Sequence, residues 1–201
     1  MTERAAPLGG IVLAGGRSSR FGRDKLAEPI DGRPLLHHAI GAVQAVADDV
    51  VVVVGPDLDP FLPEGVRLVH DAAAFEGPLA GLAAGLDAMD PVVEHVVVVG
   101  GDMPTLQPTV LWRLIAALGG SIDLALLELQ GEAVPLPMAV RRTAAIAAVR
   151  GLLDDDERRL RALPAVLRTS VVAEVTWQRD DPDGATLRDV DTPADLPGGL
   201  G

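Results

Sequence analysis

The sequence predicts an α/β fold, a three-layer α/β/α sandwich with a mostly parallel sheet, and three observations lead to this prediction. Short runs of β-branched residues recur at 10–14, 50–54, 66–69, 95–99 and 122–127. These runs show little polar alternation, which is typical of parallel strands that are buried on both faces. Segments with helical periodicity lie between them, and such alternation indicates a parallel sheet that is covered by helices on both faces.

Two of the predicted helices have clear starting points. The first follows Pro34 and the second follows Pro108, and proline is well suited to the first turn of a helix. Gly119 and Gly120 end the second helix, since glycine commonly follows the last helical turn. Apolar residues recur at helical spacing at Leu36, Ile40, Val43 and Ala47 in the first helix and at Leu111, Leu114, Ile115 and Leu118 in the second.

The second half of the chain departs from this alternation at 128–140, where a turn around Gly131 is followed by a strand with two prolines. Proline is confined to edge strands and bulges, so this segment predicts a small antiparallel β excursion at an edge of the sheet. Helices are expected at 143–153 and 156–163, and a last strand at 166–177. Since no linker or repeat interrupts the chain, we expect one domain over 1–201, with flexible ends at 1–8 and 197–201.

Composition excludes several classes of protein. The 201 residues include 29 Asp and Glu against 17 Lys and Arg, for a net charge of −12, which argues against general nucleic-acid binding. The absence of cysteine excludes disulfides and thiolate metal sites and fits a reducing compartment. The N-terminus is not a signal peptide, and the apolar runs are far shorter than the roughly 20 residues of a membrane span. We therefore expect a soluble, cytoplasmic protein.

A basic, glycine-rich segment, IVLAGGRSSRFGRDKL at 11–26, contrasts with this acidic composition. It does not match a P-loop, because the interval from Gly16 to Gly22 is one residue too long, and it lacks the G-x-G-x-x-G dinucleotide pattern. Gly15 and Gly16 can nevertheless let successive amide groups form an anion-binding nest. Arg17, Arg20 and Lys25 could neutralise a triphosphate, whose charge also requires Mg²⁺.

Three other loops follow predicted strands, where α/β sheets bind their ligands. Asp102, in VGGDMPTL, suits Mg²⁺ and lies too far upstream to cap the helix after Pro108. Asp71 could accept hydrogen bonds from a ribose or a base, and the small residues around Gly81 allow close approach of a ligand or tight packing on the sheet. Asp191 precedes Thr192, which is itself placed to cap a short helix. The histidines show no metal spacing, so zinc is not expected.

The segment LAGGRSSRFGRDK resembles the N-terminal motif L-A-G-G-x-S-x-R-x-G-x-D-K of the molybdenum cofactor guanylyltransferase family, and VGGDMPTL matches its second motif. The similarity extends over nearly the whole chain, including DGRPLL and DDERRLRAL. It implies a Rossmann-like nucleotidyltransferase fold. The residues that the resemblance assigns to GTP are Leu13, Ala14, Gly15, Gly16, Lys25, Asp71, Gly81 and Asp102. By the same resemblance Lys25, Arg20 and Asp102 are catalytic, and Asp102 and Asp191 hold the metal.

The activity that the resemblance implies is Mg²⁺-dependent transfer of GMP from GTP to the phosphate of molybdopterin or the molybdenum cofactor, with release of pyrophosphate. Molybdoenzyme maturation proteins are then candidate partners, and we expect a monomer or a weak homo-oligomer without nucleic-acid or membrane partners. Arg141, Arg158, Arg159 and Arg161 are candidates for binding the acceptor phosphate, with a solvated helix face as the alternative.

Two departures from the family pattern leave alternatives open. Asp189 and Asp191 stand where the family often has asparagine, and the strand at 50–54 ends in valines and Gly55 instead of a polar residue. The sequence is therefore also compatible with a cytidylyltransferase, with another phosphorylated acceptor, or with a nucleotide-binding module that lacks turnover.

Overall fold

The computed structural model describes residues 6–15, 25–71, 77–192 and 195, and a mixed seven-stranded sheet forms its centre. The strands are β1 (Leu8–Leu13), β2 (Pro29–Ile30), β3 (Arg33–Pro34), β4 (Asp49–Val54), β5 (Val66–His70), β6 (His95–Gly100), β7 (Leu124–Leu129), β8 (Glu132–Arg141) and β9 (Thr169–Val172). The α-helices are α1 (Leu35–Gln44), α2 (Pro78–Ala88), α3 (Pro108–Ala116), α4 (Arg142–Asp154) and α5 (Glu174–Trp177).

The sheet has the strand order β5-β4-β1-β6-β8-β7-β9, and β8 alone among these strands runs antiparallel to its neighbours. This topology confirms the predicted α/β class with a mostly parallel sheet. A separate antiparallel pair is formed by β2 and β3. Asp31 and Gly32 connect these two strands with φ values of 48° and 77°, the positive values that a tight hairpin turn requires.

The expected position of the antiparallel excursion was wrong, because β8 lies between β6 and β7 and not at an edge. The pairing of β8 with β7 jumps from Leu126–Met138 to Leu127–Val134, so Pro135 and Pro137 fall in a bulge. A bulge does not require the ladder N–H groups that proline lacks. An inner strand therefore tolerates two prolines here.

Alternating residues of the buried strands face two different helical layers. In β1, Ile11 packs in a cluster with residues of α2 and α4, whereas Val12 packs in a cluster with residues of α1. α3 covers the same side as α1 and extends the core towards β7 and the buried Trp177. Because both faces are apolar, the strands show no polar alternation.

Two expectations for the last third of the chain needed correction. The helix expected at 156–163 is a turn followed by a 3₁₀ helix at Leu160–Ala165, since Asp156 has a φ of 61° and so cannot continue α4. The strand expected at 166–177 is the short β9 followed by α5. α5 inserts Trp177 into the core, where its indole Nε1 donates to the Glu128 carbonyl at 2.8 Å.

At the N-terminus, Leu8 already belongs to β1 and pairs with His95, although the prediction of a flexible end included it. The other end, 197–201, lies outside the described residues. Across the described ranges, none of the helices is both long and apolar enough to cross a membrane.

Candidate functional site

Three of the predicted site loops follow β1, β5 and β6 and meet at the carboxyl edge of the sheet. Backbone hydrogen bonds continue beyond the strands: the Ala14 amide donates to the Val53 carbonyl at 2.8 Å and the Gly101 amide to the Leu13 carbonyl at 2.9 Å. The Asp71 amide donates to the Val54 carbonyl at 2.8 Å. The loops that follow the strands are therefore fixed side by side at one edge of the sheet.

Two glycines shape the loop that carries Asp102. A Cβ on Gly100 would lie 2.6 Å from Oδ1 of Asp102, and a Cβ on Gly101 would lie 3.1 Å from Leu36 and 3.3 Å from the Cβ of Ala14. The glycine pair therefore lets the carboxylate turn back over the strand end and lets this loop approach the end of β1. The N-cap of α3 is Gln107, so Asp102 does not cap that helix.

Lys25 connects the basic segment to the acidic loops. Its Nζ donates to Oδ2 of Asp102 at 2.8 Å and to the carbonyl of Val190 at 2.9 Å, and lies 3.5 Å from Oδ1 of Asp191. The Val190 amide in turn donates to the Asp102 carbonyl at 2.9 Å. The Lys25 side chain is 16% exposed and that of Asp102 is 30% exposed. Thus the lysine and two carboxylates that the sequence singled out meet at one partly buried point.

Asp195 fixes the turn that contains Asp191, a role that the sequence analysis missed. Its Oδ2 accepts hydrogen bonds from the amide of Asp191 at 3.2 Å, from the amide of Thr192 at 2.7 Å and from Oγ1 of Thr192 at 2.8 Å. These donors hold the pKa of Asp195 below its ordinary value. The T-x-x-D spacing resembles a capping box and could have indicated this contact. The Val190 carbonyl was also missed, because side-chain patterns do not identify backbone acceptors.

A buried carboxylate ties the C-terminal segment to the loop after Asp102. Asp181 is 4% exposed and accepts hydrogen bonds from the amides of Ala185 at 3.0 Å and Thr186 at 2.6 Å. Oγ1 of Thr186 then accepts from the amide of Gln107 at 3.1 Å, and Oγ1 of Thr105 donates to the Ala185 carbonyl at 2.6 Å. Because both segments share these contacts, Asp102 and Val190 are held in fixed relative positions.

Asp189 adds a further carboxylate next to this group. Desolvation and the charge of Asp191 raise the pKa of Asp189, with a smaller contribution from Asp102, whereas Lys25 opposes the shift. Burial is the largest cause of this shift, and the repulsion from Asp191 is larger than the attraction from Lys25.

The start of α2 borders the same edge of the sheet. A Cβ on Gly81 would lie 3.6 Å from Cδ2 of Leu13 and 3.9 Å from Oδ2 of Asp71, so Gly81 is close to two other predicted site residues. One turn later, a Cβ on Gly85 would lie only 2.9 Å from Cδ1 of Ile11. Tight packing on the sheet therefore explains Gly85, while Gly81 has room for a methyl group.

The turn with Arg158 and Arg159 lies against the N-terminus of α2. The Arg158 carbonyl accepts from the Leu79 amide at 3.2 Å, and a Cβ on Gly77 would lie 2.8 Å from that carbonyl oxygen. Glu157 accepts from Nε of Arg159 at 2.7 Å and from Nη2 at 2.6 Å, and these contacts, with the amides of both arginines, lower its pKa to about 2. Two of the four candidate arginines thus lie in a turn beside α2, although not on a helix.

Arg141 does not belong to this group of residues. It pairs with His95 at the first residue of β6, the end of that strand opposite Gly100. There it lies 3.7 Å from Asp123, which also binds Arg168. Arg161 lies in the 3₁₀ helix and is exposed. The antiparallel direction of β8 places Arg141 away from the site, whereas the sequence analysis had expected that strand at an edge of the sheet.

The described residues contain no group of three or more His, Cys, Asp and Glu side chains arranged to hold a metal ion. The oxygen atoms around Lys25 come from two carboxylates and a carbonyl, a donor set that hard divalent cations prefer. Gly16 and Arg20, which the resemblance assigned to the nucleotide and its phosphates, lie outside the described residues.

Comparison with known proteins identifies the family. Residues 10–171 match the MobA-like NTP transferase domain. The chain is 33% identical to a probable molybdenum cofactor guanylyltransferase of Chloroflexus aggregans over 94% of its own length and 91% of that protein. It is 30% identical to a molybdenum cofactor guanylyltransferase of Desulfosudis oleivorans, over 93% of this chain and 91% of that protein.

Solved structures share the fold at lower sequence identity. Molybdopterin-guanine dinucleotide biosynthesis protein A of Archaeoglobus fulgidus has a TM-score of 0.76 at 19% identity, with 94% of each chain covered. A 4-diphosphocytidyl-2C-methyl-D-erythritol synthase of Anaerococcus prevotii has a TM-score of 0.69 at 16% identity, over 94% of this chain and 92% of that one. A Mycobacterium tuberculosis protein in complex with manganese has a TM-score of 0.61 at 18% identity, over 83% of this chain and 88% of that one.

These similarities agree with the motif at 13–25 and with the seven-stranded sheet that carries it. The family match spans more than half of the chain, and the curated relatives cover nearly all of it. The chain therefore belongs to the MobA-like NTP transferase domain family, a family of nucleotidyltransferases.

Proposed function

We propose that this protein transfers GMP from GTP to the phosphate of molybdopterin or the molybdenum cofactor in a Mg²⁺-dependent reaction. An oxygen of the acceptor phosphate forms a bond to the α-phosphorus of GTP, the bond from that phosphorus to the bridging oxygen breaks, and pyrophosphate leaves. The observation that carries the proposal is the contact between Lys25 and Asp102, since it joins a phosphate-binding cation and a metal-binding carboxylate at one point. Phosphoryl transfer requires positioning and charge neutralisation more than a protein nucleophile.

Asp102 and Asp191 are the residues that would hold the magnesium ion. Their carboxylates lie within 3.5 Å of the Lys25 ammonium, so their oxygens already face a common centre of positive charge. Mg²⁺ is commonly held by one or two carboxylates and by substrate phosphates, which fits two carboxylates. A protein with the same fold forms a complex with manganese, which supports the use of a divalent cation by this chain. When bound, the ion would neutralise charge on the phosphates.

The nucleotide would lie over the carboxyl ends of β1 and β4. The Ala14 amide donates to the Val53 carbonyl, so at Leu13, Ala14 and Gly15 we assign nucleotide contact to the Gly15 amide and to the carbonyls, each of which has a lone pair for a further hydrogen bond. Asp71 would bind the ribose or the base, and Gly81 would border it. Lys25 would bind the phosphates, together with Gly16 and Arg20 by resemblance to the family.

The acceptor would approach from the turn beside α2. Arg158 and Arg159 lie there next to the N-terminal end of α2, and their side chains are 34% and 60% exposed. Arginine is well suited to phosphate because its planar donors can bind two oxygens at once. A phosphate of molybdopterin is thus the anion that we assign to this turn.

The experiment measures pyrophosphate release with purified protein, Mg²⁺, and each of GTP and CTP, with and without molybdopterin. We expect release with GTP only when molybdopterin is present. Faster release with CTP would instead support a cytidylyltransferase, an alternative that the apolar end of β4 leaves open because it offers the base no polar side chain. Tight GTP binding without release for any phosphorylated acceptor would overturn the proposal in favour of a nucleotide-binding module.

A further inference from the structure

Lys25 is the only lysine in the 201-residue sequence, and its ammonium group is surrounded by oxygen atoms. The atoms are Oδ2 of Asp102 at 2.8 Å, the Val190 carbonyl at 2.9 Å and Oδ1 of Asp191 at 3.5 Å. We refer to these three oxygen atoms, which face the ammonium group, as the oxygen cage. The cage holds a monovalent cation that belongs to the chain itself.

The same oxygens are those that a divalent cation would use. Two cations cannot share such a cage, because Mg²⁺ binds its oxygen ligands at about 2.0–2.1 Å and would repel an ammonium held in their midst. Lys25 also cannot bind nucleotide phosphates while its donors point into the cage. The single ammonium therefore leaves a net negative charge on the two carboxylates, and this is not the arrangement in which Lys25 contacts a nucleotide.

The backbone around Lys25 is anchored, so movement can be confined to the side chain. The Lys25 carbonyl accepts from the Glu28 amide at 3.2 Å, and the Glu28 carbonyl accepts from the Leu35 amide at 2.8 Å at the start of α1. Lys25 begins a 3₁₀ helix that ends at Ala27. A change of rotamer moves the ammonium by several ångströms without breaking these contacts, and such changes are fast.

We propose that Lys25 is an exchangeable counter-cation, which fills the oxygen cage in the free protein and is displaced from it by a divalent cation. Displacement frees the ammonium for the phosphates of the nucleotide. This inference rests on the proposed function, which assigns the metal to Asp102 and Asp191. It goes further because it couples metal binding to nucleotide binding through one side chain. The metal releases the Lys25 ammonium for the phosphates, and the phosphates hold the ammonium away from the metal site. By thermodynamic linkage, each ligand then raises the affinity for the other by the same factor.

A single lysine makes the exchange directly observable. The full chain is produced with ¹³C- and ¹⁵N-labelled lysine, so that a single Cε–Hε correlation reports on Lys25, and MgCl₂ is titrated without nucleotide. We expect the correlation to shift in a saturable manner and to sharpen as the methylene group becomes mobile. NaCl at matched ionic strength should not produce this change.

Asp102→Asn distinguishes this inference from the proposed function. In that variant the Lys25 signal should start close to the Mg²⁺-saturated position of the wild type and should not respond to Mg²⁺. If calorimetry detects saturable Mg²⁺ binding that requires Asp102 but the Lys25 signal does not change, the exchange is overturned and the metal assignment is retained. If calorimetry detects no Asp102-dependent binding, the metal assignment itself fails, and the exchange fails with it.

Arg150→Lys supplies the matched control. Arg150 pairs with Asp87 at 2.9 Å on the outer surfaces of α4 and α2, and both side chains are more than half exposed. The lysine introduced there gives a second correlation next to a carboxylate but away from the cage. We expect this signal to stay unchanged over the Mg²⁺ range in which Lys25 responds, whereas parallel shifts of the two signals would indicate nonspecific screening and overturn the inference.

Discussion

Gly81→Ala should stabilise the fold and weaken nucleotide binding, two effects that separate packing from function. A Cβ at this position would lie 3.6 Å from Leu13, 3.7 Å from Val53 and 3.9 Å from Asp71, all ordinary contact distances. Within a helix, alanine is more stable than glycine by about 0.5–1 kcal/mol, so the melting temperature should rise by about 1–4 °C. If the nucleotide borders Gly81, the added methyl should cost about 1–3 kcal/mol, which is roughly a 5- to 150-fold increase in the KM for GTP.

Thermal unfolding and steady-state kinetics measure the two effects, with Gly85→Ala as the control. There the Cβ would lie 2.9 Å and 3.0 Å from two atoms of the fully buried Ile11, so the melting temperature should fall. The KM for GTP should remain close to that of the wild type in the folded Gly85→Ala protein. A Gly81→Ala variant with a higher melting temperature and an unchanged KM would refute the placement of the nucleotide, and a lower melting temperature would refute the packing argument.

Three further predictions follow from other contacts. Asp102→Asn should abolish Mg²⁺-dependent pyrophosphate release while thermal unfolding shows an intact fold; full activity would disprove the metal assignment. Arg159→Ala should raise the KM for molybdopterin about 5- to 100-fold, the effect of losing a charge-assisted hydrogen bond, without changing the KM for GTP, and Arg150→Ala should change neither. The hydrogen bonds from Arg168 lower the pKa of Asp123 below its ordinary 3.8, so its contribution to stability is present above that pH and is lost on acidification. The difference in urea unfolding between wild type and Asp123→Asn should therefore shrink from neutral pH to about pH 3, and a constant difference would contradict this.

The buried strands could be predicted because their environment leaves a local signal. β4 and β6 are surrounded by apolar layers on both faces, so their valine runs mark them within one residue of the observed bounds. Pro108 marks the start of α3 for a comparable reason, since its fixed φ suits the first helical position. The convergence of the loops that follow β1 and β6 could be predicted as well, because the carboxyl ends of parallel strands lie at one edge of the sheet.

Features that depend on partners distant in the chain could not be predicted in this way. The place of β8 between β6 and β7 is fixed by pairing with both strands, and its prolines are accommodated by a bulge that no local pattern reveals. That placement also determines the position of Arg141, which sequence spacing alone had grouped with Arg158. The Val190 carbonyl joins the site through a contact that spans 165 positions of the chain. Local chemistry therefore indicated which residues were suited to a site, and topology decided which of them meet.

The proposed function requires an acidic protein to bind a polyanion, and the charges of the loops at the carboxyl edge bear on this requirement. The segment 16–25 brings four basic residues and Asp24, whereas the loops that meet Lys25 bring Asp102, Asp189 and Asp191. A bare triphosphate would meet repulsion from these carboxylates, and a divalent cation bound to its phosphates would reduce that repulsion. Under the proposed function, a metal–nucleotide complex suits this composition better than either component alone, because its cation is attracted by carboxylates and its phosphates by basic residues. Under the proposed function, Asp189 and Asp191 would strengthen the attraction for the divalent cation, so replacing both with asparagine should raise the Mg²⁺ concentration needed for half-maximal pyrophosphate release.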